Sequence, residues 1–216
     1  MSRIVAAYSG YDPSTVKNLD VAIGLANTVT ALDSFYTMIT SRTEPFQLAD
    51  TEATPARVAE ILRTSTMPVR VNLAKTKWPF SRVTGWTPAG DPDDIFLNLR
   101  LIRRSPLSLA NTIIHEWIHA VDNRYPMDFG HGGNRNRGGK MAESAPYWIA
   151  SEAEKMMRPM LEAASRDLVA RDAAVAIRYL DSDEVKSVQD VLRAEDEDPQ
   201  DVFFIEGVTP DQVAEL

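Results

Sequence analysis

The sequence predicts an α+β fold: a small mixed sheet packed on helices, with further helices towards the C-terminus. Two observations carry this. Residues 69 to 102 hold three short runs in which apolar and polar side chains alternate, the period-2 mark of half-buried strands, with turn residues between them. Around that block lie longer segments whose apolar residues recur at helical spacing. Two of these open on a hydroxyl residue followed by proline, Thr54-Pro55 and Ser105-Pro106, an N-cap before a residue whose missing N–H costs nothing at a helix start.

In chain order, Arg3 to Tyr8 reads as a short strand and Ser9 to Ser14 as a turn. From Asn18 to Thr40 the residues Leu19, Ala22, Ile23, Ala26, Val29, Phe35, Met38 and Ile39 repeat at near-helical spacing, which predicts one long amphipathic helix against the sheet. Arg42 to Ala53 is polar and reads as loop, and Thr54-Pro55 opens a helix through Val58, Ile61 and Leu62. Val69, Val71 and Leu73 then alternate with Arg70, Asn72 and Ala74. Arg82 to Thr87 is a second strand, Gly90 to Asp93 a turn, and Ile95 to Ile102 a third strand. Ser105-Pro106 starts a helix that runs to Asn123, after which residues 125 to 142 are rich in glycine. Glu143 to Met160 is again helical in pattern, with Ala145, Trp148, Ile149, Ala153, Met156 and Met157 facing the core. Two more helices are expected at Leu161 to Leu180 and Asp183 to Arg193, followed by an exposed acidic run at Glu195 to Asp198. The expected division is one domain over residues 1–180, then a C-terminal helix and acidic tail over 181–216.

Composition narrows the function classes. A chain of 216 residues buries a sufficient core without staples. The absence of cysteine excludes disulfides and thiol catalysis and fits a cytoplasmic site. A net charge of −8 argues against nonspecific attachment to nucleic acid or anionic membrane, so neither is expected as a partner. The apolar run Ile4 to Ala7 is too brief for a signal-peptide core, and no run approaches the roughly 20 residues that span a bilayer.

The chemistry concentrates in the helix from Ser105. At about 100° per residue, Leu107, Leu109, Ala110, Ile113, Ile114, Trp117, Ile118 and Val121 fall on one broad arc. Ser108, Asn111, His115, His119 and Asp122 form a single polar stripe, with Thr112, Glu116 and Asn123 beside it. The stripe takes His115 and His119 from the pentapeptide His115-Glu116-Trp117-Ile118-His119, and the chain's 3 histidines all lie between residues 115 and 131. Two His one turn apart can converge on one cation, and the Glu between them can reach a water on it. The pattern predicts a Zn2+ site with Glu116 as general base and acid. Catalytic zinc takes a third protein ligand. His131, between Gly130 and Gly132, is the candidate, with Glu143 as the alternative and Asp122 as a group that could orient a histidine. A closed structural site commonly uses thiolates, which this chain lacks.

The HExxH pentapeptide followed by Gly130-His131-Gly132 resembles the zincin-type metallopeptidases, in a compact form whose Gly-His-Gly element is similar to that of SprT-like proteases. It departs from the latter in a short spacer to His131 and in having no cysteine for an accessory zinc ribbon, and from metzincins in carrying Tyr125. The resemblance implies a zincin-like fold, hydrolysis of peptide bonds in a peptide or protein substrate, and a strand, Ile95 to Leu101, aligning the substrate as a sheet edge. Tyr147 is placed either to hydrogen-bond a developing oxyanion or as a packed structural residue. Arg124, Arg135, Arg137 and Lys140 make the loop basic, which would favour an acidic side chain or terminal carboxylate on the substrate. Two other readings stay open: a noncatalytic zinc-binding interaction protein on the same scaffold, and a hydrolase of a nonpeptide amide.

Overall fold

The computed structural model describes residues 3–49, 53–76, 83–88, 90–125, 128–130 and 140–176, with side chains described as far as 165. The fold is mixed α and β, with five helices and a small mixed sheet of four strands among the described residues. The sheet order is β1 (Ile4–Ala6), β2 (Val69–Ala74), β4 (Asp94–Asn98), β3 (Gly85–Trp86). β1 and β4 both run parallel to β2, and β3 runs antiparallel to β4 with Trp86 opposite Phe96. The two aromatic rings stack across that pair, 5.4 Å apart. Parallel neighbours need crossovers; the helices between residues 13 and 64 supply the one from β1 to β2, while β3 lies within the connection from β2 to β4.

The first crossover departs from the single long helix that its periodicity predicts. α1 (Pro13–Ala31) and α2 (Asp33–Thr40) are separated by Leu32, whose ψ of 138° is extended. α1 starts five residues before Asn18 because Asp12-Pro13 is itself a start signal, the Asp12 carboxylate accepting from the Ser14 N–H. At the other end, the Tyr36 hydroxyl folds back from α2 and donates to the Thr30 carbonyl at 2.7 Å. A carbonyl that the helix leaves without a partner is thereby satisfied, and the apolar stripe continues across the bend. Phe35, Tyr36 and Ile39 stay buried.

α3 (Pro55–Thr64) begins where Thr54-Pro55 signals, with the Thr54 side chain accepting from the Arg57 N–H. β4 ends at Asn98, earlier than the strand predicted to Ile102, because the Asn98 side chain accepts from the Arg100 N–H and bends residues 99–101 into a 3₁₀ turn. It is also an interior strand, so the sheet edge expected of Ile95 to Leu101 belongs instead to β3. At the opposite rim, Asn27 of α1 covers β1: its amide oxygen accepts from the Arg3 and Ile4 N–H groups and its amide nitrogen donates to the Ile4 carbonyl.

α4 (Pro106–Asp122) is the central helix, packed against α1, α5 and the sheet. Its apolar arc is fully used: Leu109, Ala110, Ile113, Ile114, Trp117, Ile118 and Val121 are buried without measurable exposure. Trp117, the largest of them, sits inside the HExxH pentapeptide and packs on Phe35. A helix anchored this way cannot roll, which fixes the direction of its remaining polar residues.

α5 (Ala145–Ala176) merges the two helices predicted over Glu143 to Met160 and from Leu161, with Pro159 inside it. It starts after Glu143, which lies in a 3₁₀ turn (Met141–Glu143), because Ser144 is extended. Ala145, Ile149, Ala153 and Met157 are buried as the spacing requires. The helix expected at Asp183 to Arg193 and the tail to 216 lie outside the described residues. Among those described, no helix is long and apolar enough to cross a membrane.

Candidate metal centre

His115 and His119 emerge from the same face of α4 with ring centroids 5.0 Å apart. His115 is 3% exposed. Tyr147, in the first turns of α5, presses on its ring at 4.5 Å with the planes at 85°. The tyrosine therefore walls the site whether or not its hydroxyl takes part in chemistry. Burial raises the Tyr147 hydroxyl well above its ordinary pKa, and the Glu116 charge adds to that rise, so the phenol keeps its proton across the physiological range.

Glu116 is buried at 5% exposure, an expensive place for a carboxylate. Burial pushes its pKa up to about 7, while a hydrogen bond from Thr87 pulls the other way. The Thr87 hydroxyl lies 2.8 Å from Glu116 Oε2 and 3.0 Å from the Glu116 carbonyl, so it anchors one carboxylate oxygen, and among the described residues no hydrogen bond is made to Oε1. Thr87 was not legible as a site residue, since nothing in sequence pairs positions 87 and 116. Gly85 carried the available signal: a glycine inside a strand pattern marks a close approach. A Cβ there would stand 3.0 Å from Thr112 Cγ2 and 3.1 Å from both Glu116 Cγ and Leu97 Cδ2. Only glycine lets β3 lie this close along α4.

The end of α4 prepares the loop that follows. The Asp122 carboxylate accepts from the Phe129 N–H at 2.8 Å and from the Gly130 N–H at 3.0 Å. Phe129 is fully buried. Gly130 is thereby held against the second histidine, its Cβ position 2.9 Å from His119 Nδ1. Asp122, read from sequence as a group to orient a histidine, thus also ties down the chain just before residue 131.

His131 itself lies outside the described residues, as do Arg135 and Arg137. The other third-ligand candidate is described: Glu143 accepts from Arg42 at 2.7 Å, and that guanidinium in turn covers the Phe46 and Trp148 rings. Among the described residues no three His, Cys, Asp or Glu side chains converge as a metal site. As imidazole donors one turn apart the two histidines fit zinc as a pair, and a third ligand would have to come from outside the described residues. Of the loop's basic residues, Arg124 is engaged by Asp93 at 2.7 Å and by the Pro92 carbonyl, so it is not free to meet a substrate. Comparison of the chain with protein-family models, with curated proteins and with solved structures returned no match.

Proposed function

We propose that this chain is a zinc-dependent peptide hydrolase of zincin-like architecture, with His115, His119 and His131 holding the metal. The observation that carries the proposal is the pinning of Gly130 beside His119 by Asp122. Consecutive Cα atoms are about 3.8 Å apart, so the chain enters residue 131 within one step of the second ligand. Glu143, committed to Arg42, is the poorer candidate.

When bound, zinc supplies Lewis acidity, lowering the pKa of a water towards about 7 and polarising the scissile carbonyl. Glu116 does the proton work: Oε1 takes the proton from the attacking water and returns it to the leaving amine nitrogen, while Thr87 fixes Oε2. The protonated Tyr147 hydroxyl donates to the carbonyl oxygen as charge builds there. Among the described residues no strand pairs with the outer side of β3. A peptide adding to that side would lie over Glu116, and for this reason we assign the substrate a peptide backbone rather than a small amide.

The test is metal content by elemental analysis with turnover of a peptide library. Wild type and Glu143→Ala are expected to carry about one zinc per chain, His131→Ala to lose it, and Glu116→Gln to retain zinc while losing turnover. Zinc retained in His131→Ala would overturn the ligand set, and Glu116→Gln cleaving as fast as wild type would overturn the mechanism.

A further inference from the structure

Arg104 immediately precedes the N-cap of α4, and its side chain runs back along the helix. Nε donates to the Leu101 carbonyl at 3.0 Å, one terminal nitrogen to Ser108 Oγ at 3.1 Å and the other to Thr112 Oγ1 at 3.2 Å. All three acceptors are neutral. A guanidinium has five N–H donors, so donors remain for a further acceptor. Among the described residues no carboxylate pairs with Arg104, whereas Arg42, Arg63, Arg70 and Arg124 each hold one. Arg3 is likewise held by neutral oxygens, but it flanks β1 at the far rim of the sheet.

The position of Arg104 is unfavourable to a cation. Burial pulls its pKa down to about 10, and among the described residues no opposing charge offsets the cost. Buried charges are normally paired. An arginine kept here without a carboxylate is poised for one that arrives from outside.

Its location says which. Ser108, Thr112 and Glu116 follow one another at four-residue intervals on one ridge of α4, and the guanidinium lies on that ridge at Thr112. Thr112 is about 6 Å from the Glu116 row, at 1.5 Å per residue. β3 touches both rows through Gly85. A peptide aligned on β3 and running along α4 would rise about 3.3 Å per residue, so a group that meets the guanidinium beside the buried Thr112 would lie about two residues from the bond facing Glu116.

We infer that Arg104 is a specificity-determining residue that binds a substrate carboxylate, from an acidic side chain or a free C-terminus, about two residues from the scissile bond. This rests on the peptide-hydrolase reading above. The test uses zinc-loaded full-length Glu116→Gln, which binds without turnover, and fluorescent peptides in matched sets: Asp or Glu against Asn or Gln near the centre, and free against amidated C-termini. The carboxylate-bearing members are expected to bind about 10- to 100-fold tighter than their neutral partners, as a charge-assisted hydrogen bond would give. Adding Arg104→Gln should erase that preference while leaving the neutral peptides' affinity unchanged, and Arg104→Lys should restore part of it. The set that shows the preference separates side chain from C-terminus. Equal preference with and without Arg104→Gln overturns the inference, and a fall in melting temperature as its only effect identifies Arg104 as a brace between Leu101 and α4. Wild-type cleavage that ignores carboxylates sinks this inference alone, whereas no cleavage, no binding and no zinc sinks the parent reading with it.

Discussion

Gly130→Ala adds one methyl group to the chain, and the structure says what it meets. The new carbon would stand 2.6 Å from Asp122 Oδ2, 2.9 Å from His119 Nδ1 and 3.2 Å from His119 Cε1. Nonbonded contacts of this kind relax only near about 3.5 Å. Relief is available in two ways. The Asp122 carboxylate can swing away, abandoning the Phe129 and Gly130 N–H groups, or the His119 ring can turn. Either movement disturbs the seat of Gly130 beside His119, on which the proposed third ligand depends. In zinc-free protein no metal holds the ring, and the stability loss is expected within the about 1–3 kcal/mol that overpacking costs. With zinc bound the ring is fixed, and a displaced supporting group should lower zinc affinity by about 10- to 100-fold, which is about 1.4–2.7 kcal/mol. Competition with a chromogenic zinc chelator measures the affinity, and thermal melts of the zinc-free proteins measure the rest. A variant that binds zinc as tightly as wild type would refute the claim that the Gly130 segment delivers a ligand.

Gly85→Ala should lift β3 from α4, costing about 1–3 kcal/mol in denaturant unfolding, since its methyl would press on Thr112, Glu116 and Leu97 together; unchanged stability would mean that β3 is not seated as described. Asp94 takes hydrogen bonds from Arg70 and Asn72 that hold its carboxyl below the usual carboxylate range, the Arg70 contact foremost. A lowered folded-state pKa stabilises the fold above the unfolded value of about 3.9, and the contribution disappears as pH falls through the folded value. Melting temperatures of wild type and Asp94→Asn should therefore differ near neutrality and converge in acid, and a gap independent of pH would rule out the ion pair as its source.

The helix that carries the site was legible because its signals are local. Ser105-Pro106 sets the start, the apolar arc of α4 sets its facing, and the two histidines follow at a spacing that the helix repeat converts directly into direction. The short alternating runs gave β2 and β4 for the same reason. What was lost depends on partners distant in sequence. The break at Leu32 is closed by Tyr36 on a carbonyl of the preceding helix, while the apolar period runs on through it. The premature end of β4 is a side-chain competition at Asn98 that alternation does not register. Sheet order decided which strand is the edge, and residues 95 to 101 look the same in sequence whether β3 covers them or not. At the site, the pairs Thr87 with Glu116 and Asp122 with Gly130 turn on how the chain folds around α4, and Glu143 is engaged by Arg42, 101 residues away in sequence.

Asn27 gives the sheet unequal rims. With one amide it occupies the outward donors and acceptor of Arg3 and Ile4, as a fifth strand would. Open-ended stacking of sheets needs a free rim on each side of every copy, one to receive and one to offer. Among the described residues the β3 side pairs with no further strand, while on the β1 side Asn27 leaves only the Ala6 end of the strand uncovered. Two copies joined there, β3 to β3, would turn only the Asn27-capped rims outward, which disfavours growth beyond a pair, and under the proposed function the pair would occupy the side assigned to the peptide. Replacing Asn27 with leucine would take away the amide that caps Arg3 and Ile4 and leave that rim as open as the other.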